Sequence, residues 1–352
     1  MAGGVKQAGI LGVIHESGPV TKAVLWQFRR RIILFILFCG ATFLMALFAM
    51  AWGAYEIPVR GVVNALIGMA DTQTAVVVTH IRLPRVIASI VCGWGLSLSG
   101  LSIQSLLKNP LGSPSTLGIS QGAAFGASAA IVLFGTRIFS VTAFAFLGAM
   151  LATAVVLVLA SLKRLSSEAI ILAGVALSSL FVSATILLQY LATETQLAMV
   201  VFWTFGDVAR SNFRQIGLMS LAVAAASFYL SAVRWDLNAL ATGEEGARGL
   251  GVNVNRIRVT GMVAAALVAA LATAFHGVIA FIGLIAPHMA RRLVGDDHSL
   301  LIPFSSVLGA LLLLCADTVG RILIGAGTLP VGVVTSFLGA PIFLYLLVRR
   351  YR

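Results

Sequence analysis

The sequence predicts an all-α polytopic membrane protein of about ten transmembrane helices. Composition is the first sign: of 352 residues, 59% are hydrophobic and only 10% charged, where soluble domains carry roughly 25% charged residues. Mean hydropathy is +1.02. The second sign is periodic: charge-free runs recur along the whole chain, most of them near the roughly 20 apolar residues that a spanning helix needs. The third is the placing of Pro287, Pro330 and Pro341 inside hydrophobic runs. A soluble core excludes such breaks, whereas a membrane bundle tolerates them where neighbouring helices or a wet cavity satisfy the freed backbone groups.

Residues 1–28 are polar and mixed. They read as a cytoplasmic tail and not as a cleaved signal, because the apolar run after Arg31 is too long and lacks a small-residue cleavage site. Residues 29–352 form one transmembrane domain. Single spans are expected in the runs 32–55, 86–107, 109–136, 138–162, 169–193 and 215–233. The run 259–290 is too long for one helix and too short for two with a turn. Gly277, Gly283 and Pro287 divide it into one full span and one short or partly unwound one. The runs 299–316 and 322–348 complete ten crossings, which puts both termini on one side.

Lys and Arg give the orientation. With the N-terminus inside, 17 of the 24 basic residues lie inside and 7 outside, the latter being Arg60, Arg82, Arg85, Arg137, Arg210, Arg214 and Arg321. Both termini are therefore expected in the cytoplasm, with the protein in a bacterial or archaeal inner membrane. The net charge of +12 is accounted for by this bias and by attraction to anionic headgroups, so no nucleic-acid partner is implied.

The longest polar stretches are 54–85, 194–214 and 234–258. The last is internal and carries a short helix with Glu244 and Arg248 as an i,i+4 pair, stopped near Gly249 and Gly251. It reads either as a solvated connector or as a docking surface for a cytoplasmic partner. Two regions, 109–123 and 276–288, each break an apolar span with Gly and Pro, the pattern of a transport pathway. Asp317 is the only acid well inside a run, and an intramembrane charge is paired or functional. Arg321 lies one turn further on. Arg82 and Arg85 oppose the positive-inside bias, which makes them either interfacial anchors or partners for acids on an external protein. Gly122 and Gly126 form a G-x-x-x-G that permits close helix approach.

Several chemistries are disfavoured. None of the four lysines sits in a Walker A sequence. His15 and Glu16 begin like a zinc-protease motif, but Pro19 occupies the second histidine position. Cys39, Cys92 and Cys315 lie far apart in apolar runs and read as small buried hydrophobes. No metal site or catalytic residue is expected, and no cofactor bound directly.

The residues together resemble the FecCD (cobalamin, iron-siderophore and haem) permease family of ABC importers. The likeness runs over 55–348 and rests on RLPR at 82–85, Gly100, Gln104, NPL at 109–111, LGISQGA at 117–123, AGVAL at 173–177, and Trp203 with Gly206. It continues in LNAL at 237–240, GEE at 243–245, Arg248, LGV at 250–252, GLIAPH at 283–288, Asp297 with His298, Asp317, Arg321, LPVGVVT at 329–335 and GAP at 339–341.

The resemblance implies a type II ABC importer permease fold, a translocation path at the interface with a second copy, two cytoplasmic ATPase subunits that carry ATP and Mg, and an external substrate-binding protein. Arg82, Arg85 and Arg321 would meet carboxylates of that binding protein. Asn109, Pro110 and Leu111 would lie in the cytoplasmic gate, with Ser166 and Ser167 near a second gate. Residues 237–252 would be the coupling segment seated on the ATPase, including Leu240, Gly243, Glu244, Glu245, Arg248, Leu250 and Gly251. The cargo would be a metal chelate, ferric siderophore first, then haem or cobalamin. Thr328 stands where the family usually has Glu, and Asp207 where it more often has Ser. The competing reading is an ion-gradient-driven secondary transporter, which would usually carry several intramembrane carboxylates.

Overall fold

Apolar chain in lipid must satisfy its own backbone groups, and helices do so within one segment. The computed structural model describes residues 19–53, 55–135, 138–163, 165–323 and 329–348, and its regular structure is helical. Most of the 1–28 tail lies outside the described residues, as do Arg137, Arg164, Thr328, Arg349, Arg350 and Arg352.

The helices in order are α1 (Pro19–Ala51), α2 (Val59–Leu66), α3 (Thr72–Val76), α4 (Leu83–Leu107), α5 (Ile119–Ala129), α6 (Ile138–Ser161), α7 (Ser167–Leu191) and α8 (Glu194–Thr204). They continue as α9 (Phe213–Ala232), α10 (Arg234–Ala241), α11 (Glu244–Gly249), α12 (Val254–His276), α13 (Ile282–Val294), α14 (His298–Leu323) and α15 (Val331–Val348). Helix α1 reaches back into the stretch read as a tail. A π-helical turn, Val77–Arg82, joins α3 to α4, so that Pro84 falls in the first turn of α4, where its missing N–H is harmless.

Among the described residues, seven helical stretches are long and apolar enough to cross a bilayer. The expected ten would need the shorter apolar stretches Ile119–Phe134 and Val331–Tyr345 and the 13-residue α13 to cross as well. The long run 259–290 divides as expected, into α12 and the short α13, at Gly277.

Helix α4 is the centre of the bundle, packed by α14, α12, α13 and α9. Its small residues explain why. A Cβ on Gly93 would strike the Gly309 carbonyl of α14, and one on Gly100 would strike the Gly283 backbone of α13. With lipid as apolar as leucine, such close backbone approach is what associates helices. Serine hydroxyls add to it: Ser97 donates to Ser305 O at 2.7 Å and Ser99 to Ala265 O at 2.7 Å. The G-x-x-x-G of α5 works likewise, Gly122 against Gly148 and Gly126 against the Phe144 carbonyl of α6.

The break between α12 and α13 is sealed by two other breaks. Phe205 bridges Val278, Asp207 N–H donates to His276 O at 2.7 Å, and Gly332 N–H donates to Gly206 O at 2.9 Å. The backbone groups freed at Gly277 thus find partners in protein, as membrane depth requires. Large apolar side chains such as Phe43, Leu151, Leu187, Leu221 and Phe337 stay exposed on α1, α6, α7, α9 and α15.

Candidate functional site

Two polar assemblies lie at opposite ends of α4. The first is at the end predicted to face outward. The last carbonyls of α1 have no intrahelical donors, and two arginines supply them. Arg82 donates to Met50 O at 2.7 Å and Ala51 O at 2.9 Å, and also to Tyr55 O. Arg321 donates to Ala49 O at 3.1 Å. Between them Asp317, 0% exposed, accepts from Arg85 Nε at 2.9 Å, with Arg85 Nη2 at 2.8 Å and Arg321 Nε at 3.5 Å. Asp207 approaches Arg85 at 4.0 Å.

Within the single chain the three expected docking arginines therefore face inward: Arg82, Arg85 and Arg321 are only 5%, 7% and 9% exposed. Arg82 and Arg321 turn to the last carbonyls of α1 and Arg85 turns to Asp317, neither of which charge counting along the sequence reveals. The Asp317–Arg321 pair is present, but the tighter partner of Asp317 is Arg85, 232 residues away. Three guanidiniums face two carboxylates, so one positive charge is in excess. Nη2 of Arg85 and Nε of Arg321 make ion pairs but no hydrogen bond.

The second assembly, at the predicted cytoplasmic end, gathers the expected gate and coupling residues. Lys108 adopts a left-handed conformation and ends α4, an ordinary helix stop. Asn109 Oδ1 then accepts from Leu111 N–H at 2.9 Å, which fixes the turn through Pro110 and leaves Leu111 exposed. Ser166 caps α7 by accepting from Ala169 N–H at 3.2 Å. In the coupling segment Leu240 is buried, whereas Glu245, Arg248 and Leu250 are exposed. Gly243 (φ 130°) and Gly251 (φ 85°) take backbone conformations that favour glycine. The Glu244–Arg248 pair forms at 3.7 Å.

Two residues that the sequence reading used only as charge or motif markers bind this end together. Arg258, 0% exposed, donates to Leu106 O, Leu165 O, Ser167 Oγ and Glu244 Oε1. Asn238 of α10 meets the His298 ring at 2.7 Å and donates to Asp297 Oδ1 at 2.9 Å, while the same ring reaches Ser105 Oγ at 2.7 Å. The backbone N–H of Ser299, with Asn238, holds the Asp297 carboxyl below its usual range. A cavity of about 530 Å³ opens beside them, lined by Gln104, Lys108, Asn109, Pro110, Leu237, Ala241, His288, Arg291, Arg292, Asp296 and His298. Arg291 there bonds Gln104 Oε1 and pairs with Asp296 at 3.5 Å. Among the described residues no three or more His, Cys, Asp and Glu gather in a way that could hold a metal ion.

A helical bundle with small-residue seams, a short broken span and polar assemblies at both ends has the form of a membrane permease. The chain belongs to the FecCD transport family, whose model matches residues 41–349, and like its relatives it is a transport component rather than an enzyme. It is 46% identical over 336 residues (92% of this chain, 96% of the relative) to a Methanocaldococcus jannaschii protein assigned as an ABC transporter permease. It is 38% identical to the vitamin B12 import system permease of Vibrio cholerae (78% and 83% covered) and 35% identical to the ferric enterobactin transport permease of Escherichia coli (85% and 90%). A solved inward-facing structure assigned to the metal-chelate type of ABC transporter superposes with a TM-score of 0.80 at 30% identity, covering 90% of this chain and 99% of that one.

Proposed function

We propose that two copies of this chain enclose the translocation path of an ATP-driven importer of a metal chelate, with ferric siderophore the first choice and haem or cobalamin next. Two ATPase subunits bind beneath and a substrate-binding protein binds outside; both termini lie in the cytoplasm of a bacterial or archaeal inner membrane. The observation that carries this reading is the gathering of 109–111, 166–167 and 237–252 at one end of the bundle, the last two joined through Arg258. The exposed apolar faces of α7 and α15 are suited to a second copy or to lipid.

The geometry favours this over ion coupling. Asp317, the one acid deep in a span, is held by two arginines, and an ion-coupled carrier needs a carboxylate that can exchange its partner. In the proposed cycle, ATP binding closes the ATPase pair, α10 and α11 move with it, and the gate turns reopen or close. The nucleotide must bind the two packings with different affinity for this to happen. Outside, the excess positive charge of the Arg82–Arg85–Arg321 cluster attracts an acidic face of the binding protein.

The test is capture of the ATPase by the permease. Glu245→Arg together with Leu250→Asp alters only exposed groups of the coupling segment. We expect at least a roughly tenfold loss of ATPase binding, the scale of a lost interface anchor. Undiminished capture would remove the coupling assignment.

A further inference from the structure

Arg258 is the fifth residue of α12, yet its guanidinium reaches three other segments. Nη1 donates to Leu165 O at 2.6 Å and Nη2 to Glu244 Oε1 at 2.5 Å, with Ser167 Oγ at 3.3 Å and Leu106 O at 3.4 Å. Glu244 opens α11, the exposed coupling helix. Leu165 and Ser167 flank Ser166, and Leu106 lies in the last turn of α4, three residues before Asn109. One rigid planar group thus touches the coupling helix, the turn at 165–167 and the last turn of α4, which leads into 109–111.

Burial makes the arrangement hard to uncouple. A fully buried guanidinium that loses one acceptor has no water to replace it, so its partners must move with it or leave a charge unpaired, at several kcal/mol. Planarity adds direction, because the donors of the fork are fixed relative to one another. Glu244 is the one charged and half-exposed member, and so the point at which a force on α11 enters.

We propose that Arg258 is a positioning residue that transmits displacement of α11 to both gate turns, through Glu244 on one side and through Leu106, Leu165 and Ser167 on the other. This rests on the importer reading above. It assigns the transmission to one side chain and not to the packing of α10 and α11 in general.

The experiment uses the reconstituted complex of permease and ATPase, with the three native cysteines replaced and Leu111→Cys as a reporter at the exposed gate turn. The rate of maleimide labelling is compared without nucleotide and after trapping with ATP and vanadate. In the parent the two rates should differ by about tenfold or more, as a shift between two packings requires. Compared at equal ATPase occupancy, Glu244→Ala should shrink the difference to within about twofold, and Glu244→Gln, which loses the same charge but keeps an acceptor for Nη2, should retain most of it. Arg258→Lys, which cannot fork to four acceptors, should behave like Glu244→Ala. A general structural defect would instead alter labelling equally in both states. If the parent responds to nucleotide and Glu244→Ala responds equally, the inference falls and the importer reading stands. If the parent itself does not respond, both fall. Glu244 is half-exposed, so the variant that decides the matter leaves the core intact.

Discussion

Arginine does work here that a glycine or water does in soluble helices. Arg82 and Arg321 donate to the last carbonyls of α1, Arg210 to Phe202 O in α8, Arg234 to Ser231 O in α9 and Arg258 to Leu106 O in α4. Each places a cation at the negative end of a helix, which is favourable in itself and more so where water is scarce. Asp317 is the counterweight for one of them, Arg321, and for Arg85. Asp317→Asn would leave Arg85 and Arg321 buried with reduced compensation, and we expect a loss of about 3–5 kcal/mol, seen as a lower unfolding temperature in detergent. Combining it with Arg85→Met should cost less than the two single changes added together, since neither buried charge of that pair is then left alone.

Asp297 gives a pH-dependent counterpart outside the spans. Its folded pKa lies below the ordinary aspartate value, chiefly through Ser299 N–H and the Asn238 amide. Its stabilising contribution is therefore complete above the unfolded value and is lost as pH falls through the depressed folded value. Thermal melts between about pH 5 and 2.5 should show a shallower acid limb for Asp297→Asn than for the parent. Parallel limbs would show that the Asn238–Asp297 link contributes nothing.

At the level of elements, the seams of α4 decide the packing. Gly100→Leu would drive a side chain into the Gly283 backbone, and two backbones cannot yield as a flexible side chain can. We expect loss of folded protein in size-exclusion chromatography, the overpacking cost exceeding about 1–3 kcal/mol. Gly40, in α1, has nothing near its missing Cβ, so Gly40→Ala should be neutral or stabilising by up to about 1 kcal/mol. The elements themselves were largely legible in the sequence: charge-free runs locate α4, α6, α7 and α9 within a few residues, and Gly277 divides α12 from α13, whereas α14 runs on past its charge-free stretch through Asp317 and Arg321 to Leu323. Helix α8 was not, because 194–204 is flanked by polar residues and reads as part of a loop until its capping box at Thr193 and Gln196 is seen. Nor was the burial of Arg82, Arg85 and Arg258. Counting treats a cation as a marker of the side it lies on, and its partners here are 14 to 232 residues away. Asn238 and His298 were visible only as motif letters, since their bond depends on how α10 folds under the start of α14.

For the whole molecule, charge is concentrated at the two ends of α4 and withheld from its middle. The end that carries Arg85 is a closed network of buried charge with one positive charge to spare. The other end is a cavity rimmed by the turn at Asn109 and Pro110, where α10 and α11 are tied to α4 and α7 by two side-chain bridges. The central claim is that motion of the bundle is supplied by an attached ATPase. It is tested most directly by uptake of an iron-labelled siderophore into vesicles holding the permease and ATPase, with binding protein and cargo on one side and ATP on the other. The account predicts accumulation that stops without ATP and is unchanged by ionophores that collapse proton and sodium gradients. Accumulation that persists without ATP, or that collapses with those gradients, would contradict it.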